Sequence, residues 1–250
     1  MTGYQGSKAA SGVAERIIRE MPPHETYVEA FAGYAAVFRK KRRAAKSLLL
    51  DADPKTCDHL RSYIVSRGEE GSVQVLHEDA VAFLPTHPAM VDAKTLVYID
   101  PPYMREVRTR LLYDAEFEEP ESHQILLKIA LSLPCMVMIS GYMTKLYAKL
   151  LKRWRLVKIP AMTRGGLRTE CLWCNFPAPR LLHDSRWAGQ NFRERERIKR
   201  RQKRWTAKFL KMPTIERQAI AAALIQVDRV TVEEAMAAGI ADLTGAADGA

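Results

Sequence analysis

Short apolar runs that break off at an acid or a turn residue constrain this chain most strongly. "TYVEAF", "SLLLDAD", "VQVLHEDA", "TLVYIDPPY" and "CMVMISG" succeed one another between residues 26 and 141. Segments with apolar residues at helical spacing separate them, among them "DPKTCDHLRSYIVSR" and "ESHQILLKIALSL". Strands that alternate with helices predict an α/β fold with a mainly parallel sheet covered on both faces. The last two strand-like runs, "RLVKIPA" and "RTECLWCNF", have no helix between them, so one of them is expected to run antiparallel. The "MTRGGL" that joins them carries paired glycines suited to a hairpin or a mobile loop. Ahead of the first strand, "VAERIIREM" has helical spacing and stops at Pro22-Pro23.

After Pro177-Ala178-Pro179 the pattern changes. The segment "RWAGQNFRERERIKRRQKRWTAKFLK", residues 186–211, is crowded with basic residues opposed only by Glu194 and Glu196, and most of the formal charge of +10 gathers around it. A run "TIERQAIAAALIQ" and a capping-box start "TVEE" predict two further helices. The expected organisation is a catalytic-looking domain over 1–179, a basic helical extension over 180–243 and a disordered tail over 244–250. A net positive charge of this size points to a polyanionic partner. No apolar run has membrane-spanning length, and "MTGYQGSKAASG" lacks the apolar stretch of a signal peptide, so a cytoplasmic protein is expected. Cys171 and Cys174 are spaced like half a zinc site, but a structural zinc needs four ligands, and no metal is expected.

"YIDPPY", residues 98–103, is the sharpest local signal. Two prolines end the strand and stiffen the backbone beyond it, and in open α/β sheets ligands bind past the carboxyl ends of the strands. Asp51, Asp79 and Asp100 each close an apolar run, and Gly33 comes after the first one. A nucleoside-containing cofactor asks for such a set: a glycine that lets backbone approach, one acid for the ribose hydroxyls and another for the adenine amine. Aspartate is also a common helix cap, and taken singly each of these acids is equally readable as one.

In order along the chain, "YQGSK", "YVEAFAGYAAVF", "LLLDAD", "HEDA", "IDPPY", "YDAEFEEPESHQILLKIA" and "RGGLRTECLWCN" resemble the successive blocks of the Dam-type DNA adenine-N6 methyltransferases. The resemblance covers about residues 4–176. It implies methyl transfer from S-adenosylmethionine on a Rossmann-like fold, to an adenine flipped out of DNA, in a modification enzyme of a restriction-modification or phage-related kind. Asp100, Pro101, Pro102 and Tyr103 then form the catalytic motif. The Asp100 carboxylate and the Pro101 carbonyl accept from the adenine amine, and Tyr103 stacks on the base. Phe31 and Gly33 line the methionine end of the cofactor, Asp51 its ribose and Asp79 its adenine, while Tyr4 and Lys8 belong to a segment that folds over it. His123 is read as a helix-start or packing residue, and Ser140 as a lining of the base pocket.

Two departures stand out. The family's F-x-G-x-G loop has Ala35 where the second glycine belongs, so the backbone there must take an ordinary conformation or tolerate strain. Only about seventy residues separate Gly33 from Asp100, enough for strands and helices and too few for a recognition domain. Sequence is read by the loop 104–118, by "TRGGL", by the extension, or hardly at all, and in the extension Arg195, Lys199, Arg200, Lys203 and Arg204 are the candidate phosphate contacts. Two alternatives stay open: an RNA adenine-N6 methyltransferase, and an inactive nucleic-acid-binding protein on the same fold. The target sequence and the oligomeric state are not legible.

Overall fold

The computed structural model describes residues 12–87, 92–104, 119–163 and 166–236. It contains two compact units, one made of the residues up to Ile17 with His24–Ala178, the other of Ile18–Pro23 with the residues from Pro179 on. Among the described residues no helix is long and apolar enough to cross a membrane.

The first unit is an α/β sheet structure. After helix α1 (Val13–Arg19), strands β1 (Thr26–Ala30), β2 (Lys46–Asp51), β3 (Val73–His77), β4 (Thr95–Ile99) and β5 (Met136–Gly141) alternate with helices. These are α2 (Ala36–Lys40), α3 (Pro54–Ser66), α4 (Ala80–Phe83), α5 (Pro120–Ser132) and α6 (Lys145–Leu150). Strands β6 (Arg155–Thr163) and β7 (Gly166–Cys174) complete one seven-stranded sheet in the order β3-β2-β1-β4-β5-β7-β6. The first five strands are mutually parallel, and β7 pairs antiparallel with both β5 and β6. The hairpin expected around "TRGGL" is therefore present, with Thr163 opposite Gly166. This is the predicted Rossmann-like architecture. Its mixed edge results from the missing helix between the last two strands, since only antiparallel neighbours can be joined by a tight turn.

Central strands buried on both faces explain why the sequence shows apolar runs and not strict alternation. One face, with Val28, Ala30, Leu50, Val97, Ile99 and Ile139, packs against Leu126, Leu127 and Ala130 of α5 and Tyr147 of α6. The other face carries Tyr27, Glu29, Leu49, Tyr98 and Met138, all buried as well. At the far edge, β6 places Pro160 in the outermost strand, where a missing N–H disrupts no ladder and discourages further pairing.

The second unit contains a short 3-10 turn (Ser185–Trp187) and two helices, α7 (Phe192–Leu210) and α8 (Thr214–Val227). Asn191 caps α7 by accepting from the Glu194 N–H. The last described helical stretch begins at residue 229, earlier than the "TVEE" box predicts. Asp228 is its cap, accepting from the Thr231 N–H, because an aspartate three residues upstream supplies the acceptor that a threonine already inside the helix cannot. The expected tail over 244–250 lies outside the described residues.

Candidate active site

The strand order reverses between β1 and β4, so a crevice opens at their carboxyl ends, where open α/β sheets bind ligands. Residues 31–35 leave β1 on one side of it and Asp100 leaves β4 on the other. The two are tied by the Asp100 N–H, which donates to the Ala30 carbonyl at 3.3 Å.

Parallel register decides what surrounds Asp100. Tyr98 stands opposite Met138, so Asp100, two residues on, falls beside Ser140 on the same sheet face. The Ser140 hydroxyl donates to Asp100 Oδ1 at 2.6 Å, and its Oγ lies 2.9 Å from the Tyr98 hydroxyl. Serine has one proton, already given to Asp100, so Tyr98 is the donor of the second bond. The chain Tyr98 to Ser140 to Asp100 runs through a buried hydroxyl pair and aims the carboxylate.

Pro101 is buried and Pro102 half-buried, which carries the backbone stiffly to Tyr103. The Tyr103 ring lies 4.4 Å from that of Tyr142, and its hydroxyl donates to the buried Glu170 carboxylate at 3.1 Å. Beneath them is a hollow of about 10 Å³ bordered by Pro101, Met104, Ser140, Thr144 and Tyr147. That is room for about one water, so a base admitted here must separate Tyr103 from Tyr142. His123 is buried in the first turn of α5, 2.8 Å from the Tyr147 hydroxyl through Nδ1, in the packing position expected of it.

On the β1 side, Gly33 has φ +51° and its N–H donates to Asp51 Oδ2 at 2.8 Å, while the Asp53 N–H donates to Asp51 Oδ1 at 3.0 Å. Burial raises the Asp51 carboxyl above the usual carboxylate range against those two backbone bonds. A carboxylate offers about four acceptor sites, so two remain for a diol. A Cβ built on Gly33 would meet nothing within 4 Å, so the space over its backbone is open to a ligand. Asp79 is exposed and caps α4, accepting from the Ala82 N–H at 2.9 Å, the capping role left open for it. Its second oxygen is not part of that bond. Tyr4 and Lys8 lie outside the described residues, as do 105–118 of the loop expected to read sequence. Cys171 and Cys174 are buried on β7, three residues apart and so on opposite sheet faces. Among the described residues no group of three or more metal-ligating side chains gathers.

Phe31 and Ala35 both take positive φ, +59° and +47°, so the loop tolerates strain at the position where an F-x-G-x-G pattern has glycine. A stack of rings closes around it. The Arg39 guanidinium sits 4.0 Å from the Tyr34 ring and 3.8 Å from the Tyr63 ring, and Tyr34 also stacks on His59 at 5.5 Å. Tyr34 and Arg39 flank Ala35 in sequence and clamp the turn between them. Removing the clamp with Tyr34→Ala is expected to cost about 1 kcal/mol of folding stability. Urea unfolding of the variant measures this; an unchanged stability would dismiss the clamp.

Four contributors escaped the sequence: Tyr98, Tyr142, Glu170 and Glu29. Glu29 is buried in the middle of the sheet, accepting from the Tyr27 hydroxyl at 2.8 Å and the Phe38 N–H at 3.0 Å, and so holds α2 against β1. Its signal was the polar residue inside "TYVEAF"; Tyr98 was readable only as a strand residue until the register was known, and Tyr142, just past β5, carried no signal of its own.

A family model described as Conserved hypothetical protein 95 matches residues 16–131, from α1 into α5. No curated protein matches the chain. Among solved structures, the putative methyltransferase yhhF from Escherichia coli aligns over 60% of this chain and 74% of its own, with 16% identity and a TM-score of 0.40. The 23S rRNA methyltransferase ErmE aligns over 74% and 81%, with 13% identity and a TM-score of 0.46. TrmK of M. capricolum in complex with S-adenosyl-homocysteine aligns over 90% and 99%, with 8% identity and a TM-score of 0.47. At these identities the likeness is one of fold, and the chemistry is read from this chain's own residues.

Proposed function

We propose that this protein transfers a methyl group from S-adenosylmethionine to the N6 amine of an adenine in DNA. One observation carries the proposal: a carboxylate, Asp100, aimed by Ser140 and succeeded by two prolines and a tyrosine, at the switch point of a parallel sheet. Adenine's exocyclic amine is a weak nucleophile because its lone pair is conjugated into the ring. Acceptors at Asp100 and the Pro101 carbonyl draw its two protons out of the ring plane and turn the lone pair toward the methyl donor. Ser140 and Pro102 hold those acceptors in place before the base arrives, so little reorganisation is left for the transition state. Tyr103 supplies a stacking face for a base flipped out of the helix, and its contact with Tyr142 opens as the base enters.

The open space over Gly33 and the remaining acceptor sites of Asp51 fit a nucleoside cofactor. S-adenosylmethionine, when bound, supplies an electrophilic methyl group. Gly33 and Phe31 would border its methionine end, Asp51 would accept from the ribose hydroxyls and Asp79 from the adenine amine, with Tyr4 and Lys8 closing over it.

Acceptance of RNA in place of DNA is the second reading. The described residues between Gly33 and Asp100 contain α2, β2, α3, β3, α4 and β4, without a separate element for reading a duplex sequence. Labelled methyl transfer to unmethylated duplex DNA, single-stranded DNA and RNA, with nucleoside mass spectrometry of the products, separates the readings. N6-methyladenine in DNA is the expected product. Label in RNA alone selects the second reading, and no label together with no cofactor binding leaves an inactive binding protein.

A further inference from the structure

We infer that one face of α7 is a binding surface for the phosphate backbone of a nucleic acid, an inference that extends the substrate reading above. Arg193, Arg197, Arg200, Arg201, Arg204 and Lys208 recur at intervals of three and four residues, so they share one helix face along about 22 Å. All six are exposed. None of them forms an ion pair among the described residues. The two acids of the helix are engaged elsewhere: Glu194 accepts from the Gln190 N–H at 2.7 Å, and Glu196 pairs with Lys199 at 3.5 Å.

Of the five basic residues expected from sequence, only Arg200 and Arg204 lie on this stripe. Arg195, Lys199 and Lys203 form a second row, four residues apart, on a different face, and Arg195 is half-buried. Charge count alone does not separate the rows; helical phase does.

Six like charges this close repel one another, and a chain that keeps them unneutralised gains most from a polyanion with regularly spaced charge. Five of the six are arginine, whose planar fork meets phosphate oxygens bidentately. An anionic membrane surface is the competing partner. A helix lying in a membrane interface buries a broad apolar face, whereas Ile198, Trp205 and Phe209 form only a narrow row alongside this stripe, with the Lys208 ammonium 5.4 Å from the Trp205 ring, and the second basic row lies on the far side of the helix. The observations therefore favour nucleic acid. Backbone contacts of this kind position a strand without reading its bases.

The test compares two variants of the full-length protein with equal loss of charge: Arg197→Gln/Arg200→Gln/Arg204→Gln on the stripe and Arg195→Gln/Lys199→Gln/Lys203→Gln on the second row. Fluorescence anisotropy with a 20-base-pair DNA duplex and with RNA of matched sequence is recorded across a salt series, with circular dichroism as the folding control. On duplex DNA the stripe variant is expected to flatten the slope of log affinity against log salt by about 0.9 for each lost contact, nearly 3 in all, and the second-row variant by less than 1. Equal flattening in both variants overturns the stripe. Absence of binding to either nucleic acid by the unaltered protein, or loss of binding to phosphatidylserine vesicles alone in the stripe variant, overturns the partner. The measurement does not depend on turnover: stripe-dependent binding in a protein that transfers no methyl group would refute only the catalytic reading.

Discussion

Asp100→Ala is expected to lower kcat for methyl transfer by about a thousandfold or more, while binding of S-adenosyl-homocysteine stays within about twofold of the unaltered protein. Removing one preorganised partner of a developing charge costs about 100- to 1,000-fold in well-studied sites, and Asp100 is both the proposed acceptor for the amine and the terminus of the Tyr98–Ser140 chain. Ser140→Ala removes only the aiming bond and should lower kcat by about tenfold, in line with one neutral-to-charged hydrogen bond. The cofactor contacts proposed at Gly33 and Asp51 do not include Asp100, which is why binding survives. Single-turnover methylation and isothermal titration of the variants measure both quantities. Turnover retained in Asp100→Ala would remove the mechanism, and loss of cofactor binding together with turnover would mean that Asp100 supports the fold and not the chemistry.

Stability should depend on pH through Glu29. Burial pushes its carboxyl up to about 7, against the Tyr27 and Phe38 hydrogen bonds and with some help from the charge of Asp100. In the unfolded chain it titrates near its ordinary value of 4.5. The folded value is raised, so the contribution is favourable at low pH, where both states hold the proton. It is lost as pH rises through 4.5, where the unfolded chain ionises first, and the full cost is reached above about 7. That cost is roughly 3 kcal/mol from the separation of the two values. Glu29→Gln cannot ionise and keeps a carbonyl to accept from Tyr27 and Phe38. Its stability relative to the unaltered protein is therefore expected to improve by roughly 3 kcal/mol between pH 4.5 and pH 8.5. Chemical denaturation across that range gives the answer directly; two parallel stability curves would show that Glu29 carries its charge in the folded protein without penalty.

Much of the site was legible because its chemistry is local in the chain. Asp100 to Tyr103 are consecutive, and proline stiffness is an intrinsic property of two residues; at Ala35 the sequence left an ordinary backbone or strain open, and its φ of +47° decided for strain. Asp79 shows where that reasoning stops. The same aspartate after a strand is a cofactor ligand or a helix cap, and only the backbone of α4 reveals that one of its oxygens is already in use. Arg195, Lys199 and Lys203 show it again, since a run of basic residues looks uniform until helical phase sorts it into faces.

Sequence by itself determined the alternation of strands and helices, the ends of the strands, and the stiff acid-proline-proline-tyrosine motif beyond β4, because each depends on neighbours within one turn or one strand. Tertiary structure alone decided that Ser140, forty residues away, hands its proton to Asp100, that Tyr103 rests on Tyr142 and Glu170, and that Glu29 is sealed between β1 and α2. The first pairing depends on the parallel register of β4 and β5, the second on the antiparallel placement of β7 and the third on the docking of α2, and each is set by the packing of the whole sheet and not by any one of its strands.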